Sequence, residues 1–140
     1  MLSDRIQLEI VTPQGVAVRE MVDEVEAPGA LGYFGVLPGH IPFLSQLKIG
    51  NVRYRIGNEN HFVAVTWGFA EVLPRKVTIL VRTAELALDI DLERAETARR
   101  RAEERLKEFG VAYDMESARE DFLRAQARVD AARQEQRSHK

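Results

Sequence analysis

The chain changes character at Glu85-Leu86-Ala87-Leu88-Asp89-Ile90-Asp91. Before this stretch, short runs typical of strands are interrupted by turns, and all five prolines and eight of the nine glycines lie there. After it, the chain is rich in charge and alanine and contains no proline. Because proline interrupts helices and sheet interiors, the two parts must differ in architecture. The sequence predicts two domains, residues 1–86 and residues 87–140.

The first part has the pattern of a β-sandwich. Ile6, Leu8 and Ile10 alternate with polar residues, as in a strand that buries one face. Turn signals such as Pro28-Gly29 and Pro38-Gly39 separate further runs. These runs cover residues 16–22, 24–27, 52–56, 61–66, 69–73 and 77–83. We expect a sandwich or flattened barrel of about ten short strands.

Composition excludes several classes of protein. Residues 27–47 carry no Asp, Glu, Lys or Arg, but seven glycines and prolines there would break a membrane helix. The first residues lack the pattern of a secretory signal. A net charge of -2 gives no general attraction to nucleic acid. The chain has no cysteine, and His40, His61 and His139 are not at metal-ligand spacing, so we expect no metal site. No motif of a catalytic nucleophile is present, and we expect no active site.

The second part predicts an antiparallel pair of helices. Asp91 and Asp114 are candidates for N-caps, and Gly110 would end the first helix. Apolar residues recur at helical spacing in both segments. They are Leu92, Ala95, Ala98, Ala102, Leu106 and Phe109 in the first, and Ala118, Phe122, Ala125, Val129 and Ala132 in the second.

Alanine dominates these contact positions. At about 0.8 kcal/mol per buried methylene, each alanine contributes roughly 2 kcal/mol less than leucine would. Alanine is also the best helix former, so each helix can persist when its packing is lost. The composition therefore favours a hairpin that detaches and extends, and the alternative is a hairpin that stays docked.

The end of the second helix is basic. From Phe122 onward the chain has five basic and two acidic residues, a net charge of +3. This is typical of a solvated helix end, where positive charge favours the dipole. It is equally typical of a docking face for an acidic partner.

The run from Gly35 to Leu44, Gly-Val-Leu-Pro-Gly-His-Ile-Pro-Phe-Leu, resembles the signature of the epsilon subunit of F-type ATP synthases. Val11-Thr12-Pro13, residues 68–72, residues 77–80 and residues 89–95 agree with that family in the same order. The resemblance implies a non-catalytic rotor subunit that couples gamma to the c-ring during proton-driven ATP synthesis. It also implies a peripheral place on the cytoplasmic side of the bacterial inner membrane, without a transmembrane segment.

The resemblance assigns two sets of contact residues. Residues facing the c-ring or gamma would be Tyr33, Phe34, Gly35, Val36, Leu37, Pro38, Gly39 and His40. In bacterial relatives the hairpin can extend along gamma towards the alpha and beta subunits and inhibit ATP hydrolysis. The residues implied in that contact are Arg119, Arg124, Arg128 and Arg133.

A nucleotide site is also implied, although no resident cofactor is. Residues 90–95 resemble the ATP-binding motif of some members, which assigns a regulatory ATP to Glu85, Asp91, Arg94 and Ala95. The alternative is that Asp91 serves only as an N-cap. Two arginines of nucleotide-binding members correspond here to Ala131 and Glu135. Relatives also commonly carry Glu at the position of Tyr33 and a small residue at that of Trp67.

A function from another class fits the same layout. The chain would then be a stand-alone β-sandwich that binds a ligand, with the hairpin as a lid or dimerisation element. A rotor subunit would copurify with a gamma-type subunit, whereas a ligand-binding module would be a monomer or homodimer with a closed apolar pocket.

Overall fold

The computed structural model of the chain describes residues 4–108 and 112–138. Within them the chain forms eight strands, a short 3₁₀ turn and two helices. The strands are β1 (Ile6–Thr12), β2 (Gly15–Val22), β3 (Glu24–Gly29), β4 (Gly32–Val36), β5 (Phe43–Leu47), β6 (Gly50–Ile56), β7 (Glu59–Leu73) and β8 (Lys76–Leu86). The 3₁₀ turn (Ala87–Asp89) leads to α1 (Leu92–Glu108) and α2 (Ala112–Ser138). The predicted β-sandwich with a C-terminal helical hairpin is confirmed.

The number and length of the strands differ from the prediction. Among the described residues there are eight strands rather than about ten, and β7 spans 15 residues. The runs 61–66 and 69–73, predicted as separate strands, are parts of β7. Gly68 lies between them inside the strand. Glycine is required at this position because a Cβ there would lie 1.8 Å from the Leu80 carbonyl oxygen. This glycine marks a close approach of β7 to β8 and not a turn.

The long strand β7 connects the layers of the sandwich. Its first half pairs with β6 and its second half with β5, while β8 pairs along its other edge. Strand β3 contacts β4, β5 and β6. Strands β1 and β8 are parallel, and the other pairs are antiparallel. The sheet surrounds a core of aliphatic side chains whose largest fully buried members are Ile6, Leu8, Ile10, Leu47 and Ile79.

The helix ends show one correct and one incorrect boundary. Asp91 caps α1, because its Oδ1 accepts a hydrogen bond of 3.2 Å from the backbone N–H of Arg94. Helix α2 begins at Ala112, so Asp114 lies inside the helix and the prediction that it is the N-cap is wrong. An acidic residue is favourable anywhere in the first turn, so the sequence signal of Asp114 does not distinguish the N-cap from a position inside that turn. The predictions for Phe109, Gly110 and His139 lie outside the described residues.

Helix α2 is the inner helix of the hairpin, and α1 packs on it. Most predicted contact positions are buried, namely Ala95, Ala102, Ala118, Ala125, Val129 and Ala132. Leu92, Ala98, Leu106 and Phe122 are half-buried. A second face of α2, which the sequence analysis missed, packs against β6 and β7 through Ala127, Ala131 and Glu135. The apolar cluster between hairpin and sandwich is separate from the sandwich core.

Candidate functional site

An ion pair between α2 and β8 joins two residues that the sequence assigned to different roles. Arg128 donates from Nε to Glu85 Oε1 at 2.7 Å and from Nη2 to Glu85 Oε2 at 3.3 Å. The pair lies in the wall of a cavity of about 320 Å³ between the sheet and α2. In the docked hairpin, Glu85, which the sequence assigned to nucleotide binding, is therefore paired with Arg128, which the sequence assigned to inhibition.

The other predicted inhibitory arginines are spread along α2. The Arg124 guanidinium lies 5.2 Å from the centre of the Trp67 ring, and Arg82 lies 5.6 Å from the same ring. Arg133 pairs with Glu96 of α1 at 2.8 Å. Arg119 is exposed, and no ion pair joins it to another described residue. Docking thus engages Arg124 and Arg128 with residues of the sandwich, while Arg133 is paired within the hairpin.

Of the four predicted nucleotide ligands, only Glu85 lines the cavity beside Arg128. Asp91 is the N-cap of α1, Ala95 is fully buried, and Arg94 is exposed without an ion pair to any described residue. None of these three lines the cavity beside Glu85. A nucleotide site that joins Glu85 to these three residues stays a prediction.

Glu135 forms a polar contact that sequence reasoning missed. Its Oε1 accepts a hydrogen bond of 2.9 Å from the backbone N–H of Phe62, and its Oε2 lies 3.1 Å from Nδ1 of His61. The Ser138 hydroxyl accepts a bond of 2.9 Å from the backbone N–H of Asn60. The spacing of four from Ala127 through Ala131 to Glu135 was the available signal, since it places all three on one face of a helix.

The predicted rotor-contact segment lies in an exposed apolar surface. Leu31, Ile41 and Leu44 are 105%, 75% and 70% exposed, and Leu37 also faces solvent. Val36 is fully buried in the sandwich core and presents no side-chain surface for such a contact. We call the exposed residues Leu31, Tyr33, Leu37, Ile41 and Leu44 the loop surface.

Local bonds give this segment a defined shape. The Tyr33 hydroxyl accepts a bond of 3.0 Å from the backbone N–H of Asn51, and partial burial is the main cause that raises the pKa of Tyr33. Phe34 packs edge-on against Phe43 with 5.2 Å between ring centres. Gly39 has φ +87°, a conformation that favours glycine in a turn. The segment is therefore fixed by contacts to the sandwich while its apolar side chains remain exposed.

A second exposed apolar row crosses four strands. Phe69 of β7 pairs with Leu80 of β8, Leu80 with Val11 of β1, and Val11 with Val16 of β2. Phe69, Leu80 and Val16 are exposed. Contiguous exposed apolar side chains on a folded protein are typical of an interface. We call these four residues the sheet surface.

Residues 4–108 and 112–138 contain neither a metal site nor a membrane-spanning helix. No group of three or more His, Asp or Glu side chains there is placed to hold a metal ion. Neither helix in this part of the chain is long and apolar enough to cross a membrane.

Two solved structures share the fold. A chain in the cryo-EM structure of the Euglena gracilis mitochondrial ATP synthase, OSCP/F1/c-ring, aligns with a TM-score of 0.78 at 20% identity and covers 91% of this chain and 81% of that chain. A chain in the Tetrahymena thermophila mitochondrial ATP synthase central stalk/c-ring structure aligns with a TM-score of 0.58 at 13% identity, covering 94% and 99%. At these identities the likeness shows the fold alone.

Closer similarity is found among bacterial proteins. An ATP synthase epsilon chain of Syntrophobacter fumaroxidans is 52% identical over 94% of this chain and 98% of that protein. One from Nitratidesulfovibrio vulgaris is 49% identical, covering 89% and 92%. Residues 5–87 match the beta-sandwich domain model of the ATP synthase delta/epsilon chain, and residues 89–133 match its long alpha-helix domain. The chain therefore belongs to the ATP synthase delta/epsilon chain family.

Proposed function

We propose that this chain is the epsilon subunit in the central stalk of an F-type ATP synthase, where it couples gamma to the c-ring and has no active site of its own. One observation carries the proposal: both domains of the family match in order, on the sandwich and on the hairpin. The subunit would be peripheral, on the cytoplasmic side of the bacterial inner membrane.

The two exposed apolar surfaces support the assignment of rotor contacts. The loop surface includes Tyr33 and Leu37, and the sheet surface adds Phe69 and Leu80. Two separate apolar surfaces suit a subunit that lies between two partners, here gamma and the c-ring. The predicted contacts of residues 33–40 remain a proposal, carried by the exposed members of that segment.

The hairpin supports an inhibitory role through a change of partners. When docked, Arg128 pairs with Glu85, Arg133 pairs with Glu96, and Arg124 lies against Trp67. Extension away from the sandwich would free Arg124 and Arg128, with Arg119 already exposed, for an acidic segment of a catalytic subunit. The docked hairpin would then be the permissive state and the extended hairpin the inhibitory one.

Regulatory ATP remains a proposal for Glu85, Asp91, Arg94 and Ala95. In the docked conformation a nucleotide that contacts Glu85 would have to displace Arg128. Isothermal calorimetry of the isolated chain with ATP tests this directly. Millimolar or absent affinity would remove ATP as a sensor ligand, and Glu85→Gln should abolish any heat that is observed.

The rotor proposal is tested by purification from membranes. A tagged chain should copurify with a gamma-type subunit in a one-to-one ratio, and a monomer or homodimer alone would contradict it. Deletion from Leu88 onward should raise ATP hydrolysis while the complex still assembles. Unchanged hydrolysis in the assembled complex would reject the inhibitory role and leave the rotor role standing.

A further inference from the structure

Strand β7 leaves part of one edge uncovered by other strands. Strand β8 ends at Leu86, opposite Val63, so residues 60–62 of β7 extend past it. Along the other edge, β6 pairs with β7 as far as Glu59. Amides of alternate residues point to the same edge, and those of Asn60 and Phe62 face the uncovered one.

The last turn of α2 supplies the acceptors for this edge. The Glu135 carboxylate accepts from Phe62 N–H and the Ser138 hydroxyl accepts from Asn60 N–H, each at 2.9 Å. Glu135 and Ser138 are three residues apart and lie on one face of the helix. The second carboxylate oxygen of Glu135 is 3.1 Å from His61 Nδ1. Two successive edge amides and an imidazole thus face the end of one helix.

Glu135 differs from the other charged hairpin residues whose side chains the structure describes, because it is only 4% exposed. A buried carboxylate is unfavourable unless donors satisfy it, and hydrogen bonds to a charged group are stronger than neutral ones. By contrast, the Arg128 and Glu85 side chains are 32% and 38% exposed, and water can replace their contact. Of these two contacts, the one made by Glu135 depends more on the exact docked position.

We propose that His61 and Phe62 N–H form a carboxylate-binding site whose occupant is Glu135 of the same chain, and that its occupation locks the hairpin onto the sandwich. The bond from Asn60 N–H to the Ser138 hydroxyl is the second part of this lock. The alanines of α2 bury little area and are not directional, so they do not fix the position of the helix end. The carboxylate does so. Only the consequence for ATP hydrolysis rests on the proposed function.

Hydrogen exchange of the full-length isolated chain, followed by NMR, tests the site. Glu135→Ala should speed exchange at the Phe62 amide about tenfold or more, because a charge-assisted bond is lost. Glu135→Gln keeps an oxygen acceptor without the charge and should fall between the wild type and Glu135→Ala. Glu116→Gln, an exposed carboxylate on the same helix, is the matched control and should exchange as the wild type does.

Trp67 fluorescence emission provides an independent measure of docking, because this single tryptophan contacts Arg124 of α2. Glu135→Ala should shift this emission, and Glu116→Gln should not. Wild-type exchange at Phe62, or wild-type emission in Glu135→Ala, would overturn the proposal. If exchange also becomes faster at amides of the sandwich core in Glu135→Ala, the variant is destabilised as a whole. In that case Ser138→Ala provides the test. It should speed exchange at Asn60 selectively, and unchanged exchange there would overturn the proposal.

The assembled enzyme separates this inference from the proposed function. If undocking inhibits, Glu135→Ala should lower ATP hydrolysis about twofold or more relative to Glu116→Gln. Altered exchange and emission with unchanged hydrolysis would contradict the inhibitory role of the hairpin and support the carboxylate site. Wild-type exchange with lowered hydrolysis would contradict the site and support the role.

Discussion

Removing the ion pair between Arg128 and Glu85 is expected to weaken docking of the hairpin. The relevant substitutions are Arg128→Gln, Glu85→Gln and the combination of both, since glutamine keeps much of each side chain and removes its charge. The pair joins α2 to β8 across the cavity of about 320 Å³, and its loss leaves the rest of the interface in place.

The geometry sets the size of the effect. Exposed ion pairs contribute ~0.2–1 kcal/mol, less than buried ones, because water screens them. The side chains here are partly exposed, but the two contacts of 2.7 Å and 3.3 Å form a bidentate pair, which favours the upper end of that range. Each single substitution should lower the free energy of docking by about 1 kcal/mol, roughly a fivefold change in the ratio of docked to undocked chains.

Urea denaturation followed by Trp67 emission measures this change, because the ring contacts Arg124 of α2. In the double-mutant cycle, the double variant should be no less stable than either single variant, which gives a coupling free energy of about 1 kcal/mol. Arg99→Gln serves as the control. It removes the Arg99–Glu103 pair within α1 and should leave the docking free energy unchanged. Additive single effects, with a coupling near zero, would refute the assigned contribution of the pair.

Three further predictions concern packing, backbone and acid sensitivity. Val129→Ala removes two buried carbons at the hairpin interface and should weaken docking by about 2 kcal/mol in the same urea titration. Gly68→Ala would place a Cβ 1.8 Å from the Leu80 carbonyl oxygen, so we expect a large fall in Tm by calorimetry, and a wild-type Tm would contradict the close approach. A hydrogen bond from Gly57 N–H is the main cause that lowers the pKa of Asp23 below its ordinary value of 3.8. The ionised carboxylate therefore stabilises the fold above pH 3.8, and this contribution is lost as the pH falls through the lowered pKa. Asp23→Asn should therefore flatten the fall of Tm between about pH 5 and pH 2, and an unchanged slope would contradict this.

Local patterns predicted most of the fold. The alternation around Ile6, Leu8 and Ile10 indicates β1, and the capping role of Asp91 depends only on residues within one helical turn. The continuity of β7 was missed, because a glycine in a strand has the same sequence signature as a turn. Only the position of Leu80 on the neighbouring strand shows that Gly68 is required for close approach. The parallel pairing of β1 with β8 joins the two ends of the sandwich and has no local signal.

The polar contacts of the hairpin were less predictable. Glu135 binds Phe62, 73 positions earlier in the chain, and from sequence it resembles one more solvated charge on a helix. Arg128 and Glu85 were each identified, but for contacts with other molecules and not with each other. A pattern within one segment indicates which residue types are unusual, whereas the partner depends on how distant segments come together.

The two apolar clusters differ in composition, which bears on the proposal that the hairpin moves relative to the sandwich. The sandwich core is built from large aliphatic side chains such as Ile6, Leu8 and Ile79, each contributing about 2 kcal/mol or more on burial. On the helix side, the interface cluster contains alanines and Val129, and polar bonds complete the contact. Water can replace those bonds when the hairpin leaves, but no such exchange compensates for exposing the aliphatic core. We therefore expect the free energy of docking to be the smaller of the two, and we predict that the hairpin detaches while the sandwich stays folded.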